Sequence, residues 1–136
     1  AVERHDEEFE LTELRSRGGL WKLPRLDASI GARVRLRVRA RDVMIARSSP
    51  LDLSALNVFC GRISDIGSPH GPIVEVRLDC DGDVLIARLT RYSVQRLGLA
   101  LGTPVYALIK SVALDRRSLS GPIRGASGAD AAADEV

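Results

Sequence analysis

The residues in this 136-residue chain best suited to chemistry are hydroxyls and one lysine, not acids, thiols or histidines. Thr90 and Ser93 stand three apart at the start of a short helical pattern. Lys110 and Ser111 follow an apolar run ending at Ile109. The first turn of a helix has backbone N–H groups without intrahelical partners and carries the positive end of the helix dipole. Hydroxyls placed there add donors where negative charge is already favoured. Lys110 contributes a full positive charge and Ser111 a further hydroxyl, a set suited to a small tetrahedral oxyanion held by several short hydrogen bonds. Without an anion, Thr90 is simply a helix cap and Lys110-Ser111 a strand end.

Other chemistries find less support. There is no Gly-x-x-x-x-Gly-Lys phosphate loop, Gly-x-Ser-x-Gly elbow or His-Glu-x-x-His pair, so the sequence does not point to an enzyme. Asp79, Asp81 and Asp83 surround Gly82, but the glycine falls too early for a calcium loop and the twelfth position is Thr90 instead of Glu; a polar hairpin turn is expected. His5 and Asp6 are adjacent, so on a strand they face opposite ways, and no nucleophile accompanies them; a surface pair is expected. Cys60 and Cys80 lie in apolar alternating segments and read as buried free thiols, with no metal or cofactor implied.

The elements that must position these groups are mostly strands, because the dominant hydrophobic period is two. Strands are expected over 9–14, 20–23, 33–41, 43–46, 58–66, 73–78, 84–89 and 105–112, with Asp81-Gly82 closing a tight antiparallel hairpin. One helix is expected over Arg91–Leu97, capped by Thr90 and stopped by Gly98. In 33–41, Val34, Leu36, Val38 and Ala40 alternate with Arg33, Arg35, Arg37, Arg39 and Arg41. None of Phe9, Trp21, Phe59, Tyr92 or Tyr106 lies on that strand, so the arginine row lacks the stacking platform of a nucleic-acid binder. It is expected to be a solvated face paired with Asp6, Glu7, Glu8, Glu10 and Glu13.

Composition sets the outer bounds. Twenty Lys+Arg against 18 Asp+Glu give a formal charge of +2, and 45% of residues are hydrophobic, as in one globular unit or two very small ones. So small a net charge provides no overall drive toward nucleic acid or anionic membrane. No apolar run approaches the ~18 residues of a membrane span, and the N-terminus is charged where a signal peptide is apolar, so a cytoplasmic location without membrane insertion is expected. Ser48-Ser49-Pro50 marks the best internal boundary. The expected division is a strand unit over 1–50, a second unit over 51–115 that contains the helix, and a flexible tail over 116–136.

A resemblance joins these pieces. Ser54-Ala55-Leu56-Asn57-Val58-Phe59-Cys60-Gly61, Ala87-Arg88-Leu89-Thr90-Arg91-Tyr92-Ser93, Leu97-Gly98-Leu99, Gly102 and the stretch from Pro104 to Val112 resemble, in order and spacing, the Mop/TOBE (molbindin-like, molybdate-binding) domain. Val2, His5-Asp6, Gly18-Gly19, Trp21 and the segment from Pro24 to Val43 resemble the region preceding that domain in the ATP-binding subunit of bacterial molybdate ABC transporters. The resemblance implies an all-β regulatory region of two small OB-like β-barrel units with one short helix in the second, separated from its ATPase domain. It also implies a homodimer that binds molybdate or tungstate between units, inhibits transport, and sits at the inner face of the membrane beside the ATPase and membrane subunits. Ser54, Thr90, Ser93, Lys110 and Ser111 would line the oxyanion site. Where the family has Ser-Ala-Arg-Asn this chain has Leu56, which shifts the burden of charge to Lys110 and neutral donors.

Overall fold

The computed structural model describes residues 1–115 and 118–120. Two-residue alternation dictates strands, and the chain is mainly β with a single α-helix among the described residues. Strands β1 (Val2–Asp6), β2 (Leu11–Ser16) and β3 (Gly19–Pro24) form an antiparallel meander. Then come β4 (Arg35–Leu36), a 3-10 turn at Ala40–Asp42, and β5 (Met44–Ala46). The second half holds β6 (Asn57–Ile66), β7 (Ile73–Cys80), β8 (Asp83–Thr90), α1 (Arg91–Leu97), β9 (Pro104–Ile109) and a 3-10 turn at Ser111–Ala113, with β10 (Leu119–Ser120) after it.

The main sheet has five strands in the order β5-β9-β6-β7-β8. A three-strand meander, a helix, and a fourth strand that returns to pair with the first are the parts of a small OB-type barrel. The remaining strand, β5, comes from upstream of the meander and pairs with β9, Met44 opposite Leu108. The Ala40–Asp42 turn packs against β8 at the far side of the sheet, curling it toward closure. A register shift between Ile63 and Asp65 bends the ten-residue β6. Gly61 is required where β6 passes β7: a Cβ there would come 2.7 Å from Cys80 Sγ and 2.9 Å from the Asp79 carbonyl oxygen.

The expected hairpin forms at Asp81-Gly82. Cys80 pairs with Asp83, and both turn residues take positive φ (57° and 101°), as a two-residue antiparallel turn of this hand requires. The helix forms over the expected residues: Thr90 Oγ1 accepts from the Ser93 amide at 3.0 Å, and Gly98 ends the helix at φ 66°.

Several expectations are corrected. The arginine stretch keeps its alternation, with Val34, Leu36 and Val38 buried and the arginines exposed. It enters a ladder only at Arg35–Leu36, opposite Ser120 and Leu119, because its neighbours in the fold are side chains and not a long partner strand. Three of the five acids expected to pair with the row pair elsewhere: Asp6 and Glu13 with Arg4, and Glu7 with Arg25. In the row, Arg39 pairs with Asp42 at 2.8 Å. Cys60 is exposed, since Phe59 faces inward and its neighbour must face out; Cys80 is buried as expected. The last strand stops at Ile109, and the chain tightens into a 3-10 turn at Ser111. Val2–Asp6 pairs as a strand although only Val2 is buried. His5 is not a surface residue paired with Asp6. Nε2–H donates to the Ala28 carbonyl (2.7 Å), so Nδ1 accepts from Thr12 Oγ1 (2.9 Å), which accepts from the Leu26 amide (2.9 Å). Of the expected tail, Ser118 is buried and Leu119–Ser120 forms β10, while 116, 117 and 121–136 lie outside the described residues.

A single core runs through both halves. Trp21 of β3 is 1% exposed and tilts against Phe59 of β6 with ring centroids 4.5 Å apart. Backbone polarity at this seam is satisfied by side chains: Asn57 Oδ1 accepts from the Lys22 amide (2.7 Å) and Asn57 Nδ2 donates to the Lys22 carbonyl (3.0 Å). A second seam joins the turns. Trp21 Nε1 donates to Ser16 Oγ, and Ser16 Oγ donates to the buried carboxylate of Asp83, which also accepts from the Gly18 amide at 2.8 Å.

Candidate functional site

The five residues singled out in the sequence fall into three settings. Ser54 and Lys110 line one cavity of about 220 Å³, with Asp42 as a further polar residue and Met44, Leu53 and Leu108 as apolar wall. Ser54 lies on the connection into β6, and Lys110 follows the last residue of β9, so the sheet brings them to the same end. Lys110 is exposed, and among the described residues its ammonium makes no ion pair.

Thr90 and Ser93 form a pair of their own at the start of α1 and are not among that cavity's lining. Thr90 Oγ donates to Ser93 Oγ at 3.1 Å while accepting from the Ser93 amide. With the Thr90 hydroxyl proton committed, the Ser93 hydroxyl proton is left to point outward. Helix α1 is fastened at its other end by Arg47, whose Nη1 donates to the Leu97 carbonyl.

Ser111 takes a third position. The 3-10 turn rotates it inward, 8% exposed; its Oγ donates to the Lys22 carbonyl at 2.6 Å and accepts from Asn57 Nδ2 at 3.5 Å. It therefore braces the backbone beneath Lys110 from the seam side. The turn that turns Ser111 inward is the same one that leaves Lys110 facing out.

Sequence reasoning missed Asp42. Asp42 ends the 3-10 turn that leads into β5, and Lys110 follows β9; β5 pairs with β9, Met44 opposite Leu108, and Asp42 and Lys110 line the same cavity beyond that pair. On the β6 side the ladder with β9 ends at Asn57 opposite Ile109, with Leu56 just before the one and Lys110 just after the other. The outer face of β5, β9 and β6 is apolar, with Met44, Leu56 and Val58 exposed, and Val112 continues it beyond Lys110. A second cavity, about 300 Å³, contains His70, but its charged pair is already neutralised, Arg88 to Glu75 at 2.7 Å. No group of three metal-ligating side chains occurs among the described residues, and none of its helices is long and apolar enough to cross a membrane.

Residues 53–115 match the TOBE domain family. The chain is 50% identical over 115 residues to the molybdenum import ATP-binding protein ModC of Mesorhizobium japonicum, covering 85% of this chain and 31% of that protein. It is 46% identical to ModC of Rhizobium meliloti, covering 84% and 32%. The chain thus spans about a third of the length of the curated relatives it matches. Among solved structures, the cytoplasmic molybdate-binding protein ModG, crystallised with molybdate bound, superposes with a TM-score of 0.73 at 23% identity over 90% of each chain, a likeness of fold. The match to the TOBE domain family thus falls on the second half of the chain, residues 53–115.

Proposed function

We propose that this chain is the oxyanion-sensing regulatory module of a molybdate import ATPase, binding molybdate or tungstate between two copies of itself. The reading rests on the cavity that holds Ser54 and Lys110 together on a TOBE domain whose relatives are named molybdenum import proteins. A hydroxyl donor and an unpaired ammonium at the end of a sheet suit a dianion. Thr90 and Ser93 lie outside that cavity, so in this reading they come from the second copy, and the apolar face around Met44, Val58 and Val112 is what the two copies cover. Ser111 contributes by fixing the backbone that carries Lys110. Oxyanion binding would favour one arrangement of the pair over another and so hold the attached ATPase subunits at the cytoplasmic face of the membrane in an inhibited state; coupling of this kind needs only a difference in affinity between the two arrangements.

The apolar wall of the cavity favours a second reading, a dimerisation module that works without ligand. Titration calorimetry of the chain with molybdate, tungstate and sulfate separates the two. Saturable heat with molybdate or tungstate, lost in Lys110→Ala, supports the sensor. Concentration-dependent dimerisation with no heat from any oxyanion supports the ligand-free module.

A further inference from the structure

The arginine row takes no part in the reading above, yet one of its members is bound to a residue that lines the cavity that reading uses. Asp42 lines the cavity with Ser54 and Lys110. Arg39 Nε donates to Asp42 Oδ2 at 2.8 Å. The backbone sets this contact: the Asp42 amide donates to the Arg39 carbonyl at 2.9 Å where the extended chain gives way to the Ala40–Asp42 turn. Arg39 is thereby drawn alongside Asp42. Among the described residues, the contact engages Nε and leaves both terminal nitrogens without a hydrogen-bond partner, on a side chain about half open to solvent, 49%.

Charge shows why this matters. Lys110 shares its cavity with Asp42, and Leu56 and Lys110 adjoin the terminal Asn57–Ile109 pair of β6 and β9. Lys110 and Asp42 together carry no net charge, a poor setting for a dianion. Adding Arg39 makes the set cationic and brings a planar fork whose unused donors match the oxygens of a tetrahedral oxyanion. Asp42 then serves to hold the guanidinium in place, just as a carboxylate commonly orients an arginine beside an anion.

We propose that Arg39 is an oxyanion-binding residue of this site, positioned by Asp42, and that it supplies positive charge which Lys110 alone does not. The inference rests on the oxyanion reading of the Ser54–Lys110 cavity, and its test distinguishes the two. Tungstate is titrated calorimetrically into the 136-residue chain and into Arg39→Gln, Arg41→Gln and the double variant Arg39→Gln/Leu56→Arg, each first shown to keep the parent melting midpoint. Arg39→Gln should weaken binding about tenfold or more, the loss of a charge-assisted contact. Arg41→Gln, the next arginine of the row, should stay within about twofold. Leu56→Arg should recover affinity in the double variant, because it returns a guanidinium next to the Asn57–Ile109 pair that Lys110 also adjoins. Arg39→Gln with parent affinity overturns the proposal and leaves the oxyanion reading standing; no heat from the parent chain removes both.

Discussion

The two halves of this chain are both β, but they are held together by different means. From Asn57 to Ile109 each strand has a long partner: β7 and β8 match over eight residue pairs, and β6 is paired on both edges. From Val2 to Pro24 there is only a three-strand meander, followed by an extended arginine segment with a two-residue ladder. A small meander cannot bury its apolar face alone. Its largest side chain, Trp21, finds cover on Phe59, and the Lys22 backbone finds partners in Asn57 and Ser111, all from the second half. The main sheet, β5 included, is joined by backbone ladders, whereas the β1–β3 meander depends on side chains of the second half.

Removing the main apolar contact should break that arrangement most severely. Trp21→Ala is expected to cost about 3–5 kcal/mol in urea unfolding, the range for deleting a fully buried large aromatic. Native-state hydrogen exchange should locate the loss, with protection falling in β1–β3 while β6–β8 retain theirs. Equal loss in both halves would mean that the barrel needs the meander as much as the meander needs the barrel.

A smaller change tests the polar part of the seam. Asn57→Ala leaves the Lys22 amide without its acceptor and removes one of two donors from the Lys22 carbonyl, Ser111 Oγ remaining. The expected loss is about 1–3 kcal/mol in the same assay, the cost of leaving a buried backbone donor unpaired. A loss within error would assign the joining of the halves to Trp21 and Phe59 alone.

The same contrast explains what the sequence makes legible. Long strands with partners on both sides bury alternate residues, so β6 to β9 and the Asp81-Gly82 turn are readable from period two and turn chemistry alone. Thr90 and Gly98 likewise mark the ends of α1 by local backbone needs. Residues 33–41 mislead because alternation belongs to any extended chain packed on one side and does not require a partner strand. Val2–Asp6 is hidden by its charges, since pairing with β2 is decided by a neighbour that is distant in side-chain pattern. Residue type offers Ser54, Thr90, Ser93 and Lys110 as candidates, but only the fold shows that Ser54 and Lys110 share a cavity from which Thr90 and Ser93 are absent. The inward turn of Ser111 and the approach of Asp42 depend on a 3-10 turn and on strand register, neither of which residue type alone reveals.

The two cysteines give the gentlest probe of the seam, one that leaves stability at neutral pH untouched. Cys60 is exposed on β6, whereas Cys80 lies at the end of β7 beneath the β2–β3 turn, where Gly18 approaches so closely that a Cβ would come 2.6 Å from the Cys80 carbonyl oxygen. Burial, followed by the nearby carboxylates of Asp79 and Asp83, pushes the Cys80 thiol from 9.0 up to about 12. A thiol whose folded pKa is raised contributes nothing to the pH dependence of stability below the unfolded value. Above about pH 9 the unfolded chain ionises first, so stability falls as pH rises toward 12. The urea midpoint should therefore drop between pH 8 and pH 10.5 by more in the parent than in Cys80→Ala, with the other alkaline titrations common to both. At pH 8 a thiol reagent should modify Cys60 at once and Cys80 only as fast as the covering turn opens. In Trp21→Ala the Cys80 rate should rise while the Cys60 rate stays fixed. If Cys80 instead reacts at its parent rate in that variant, the cover over the β7–β8 end is held by the Asp83 carboxylate network independently of the tryptophan, and the two seams are separate.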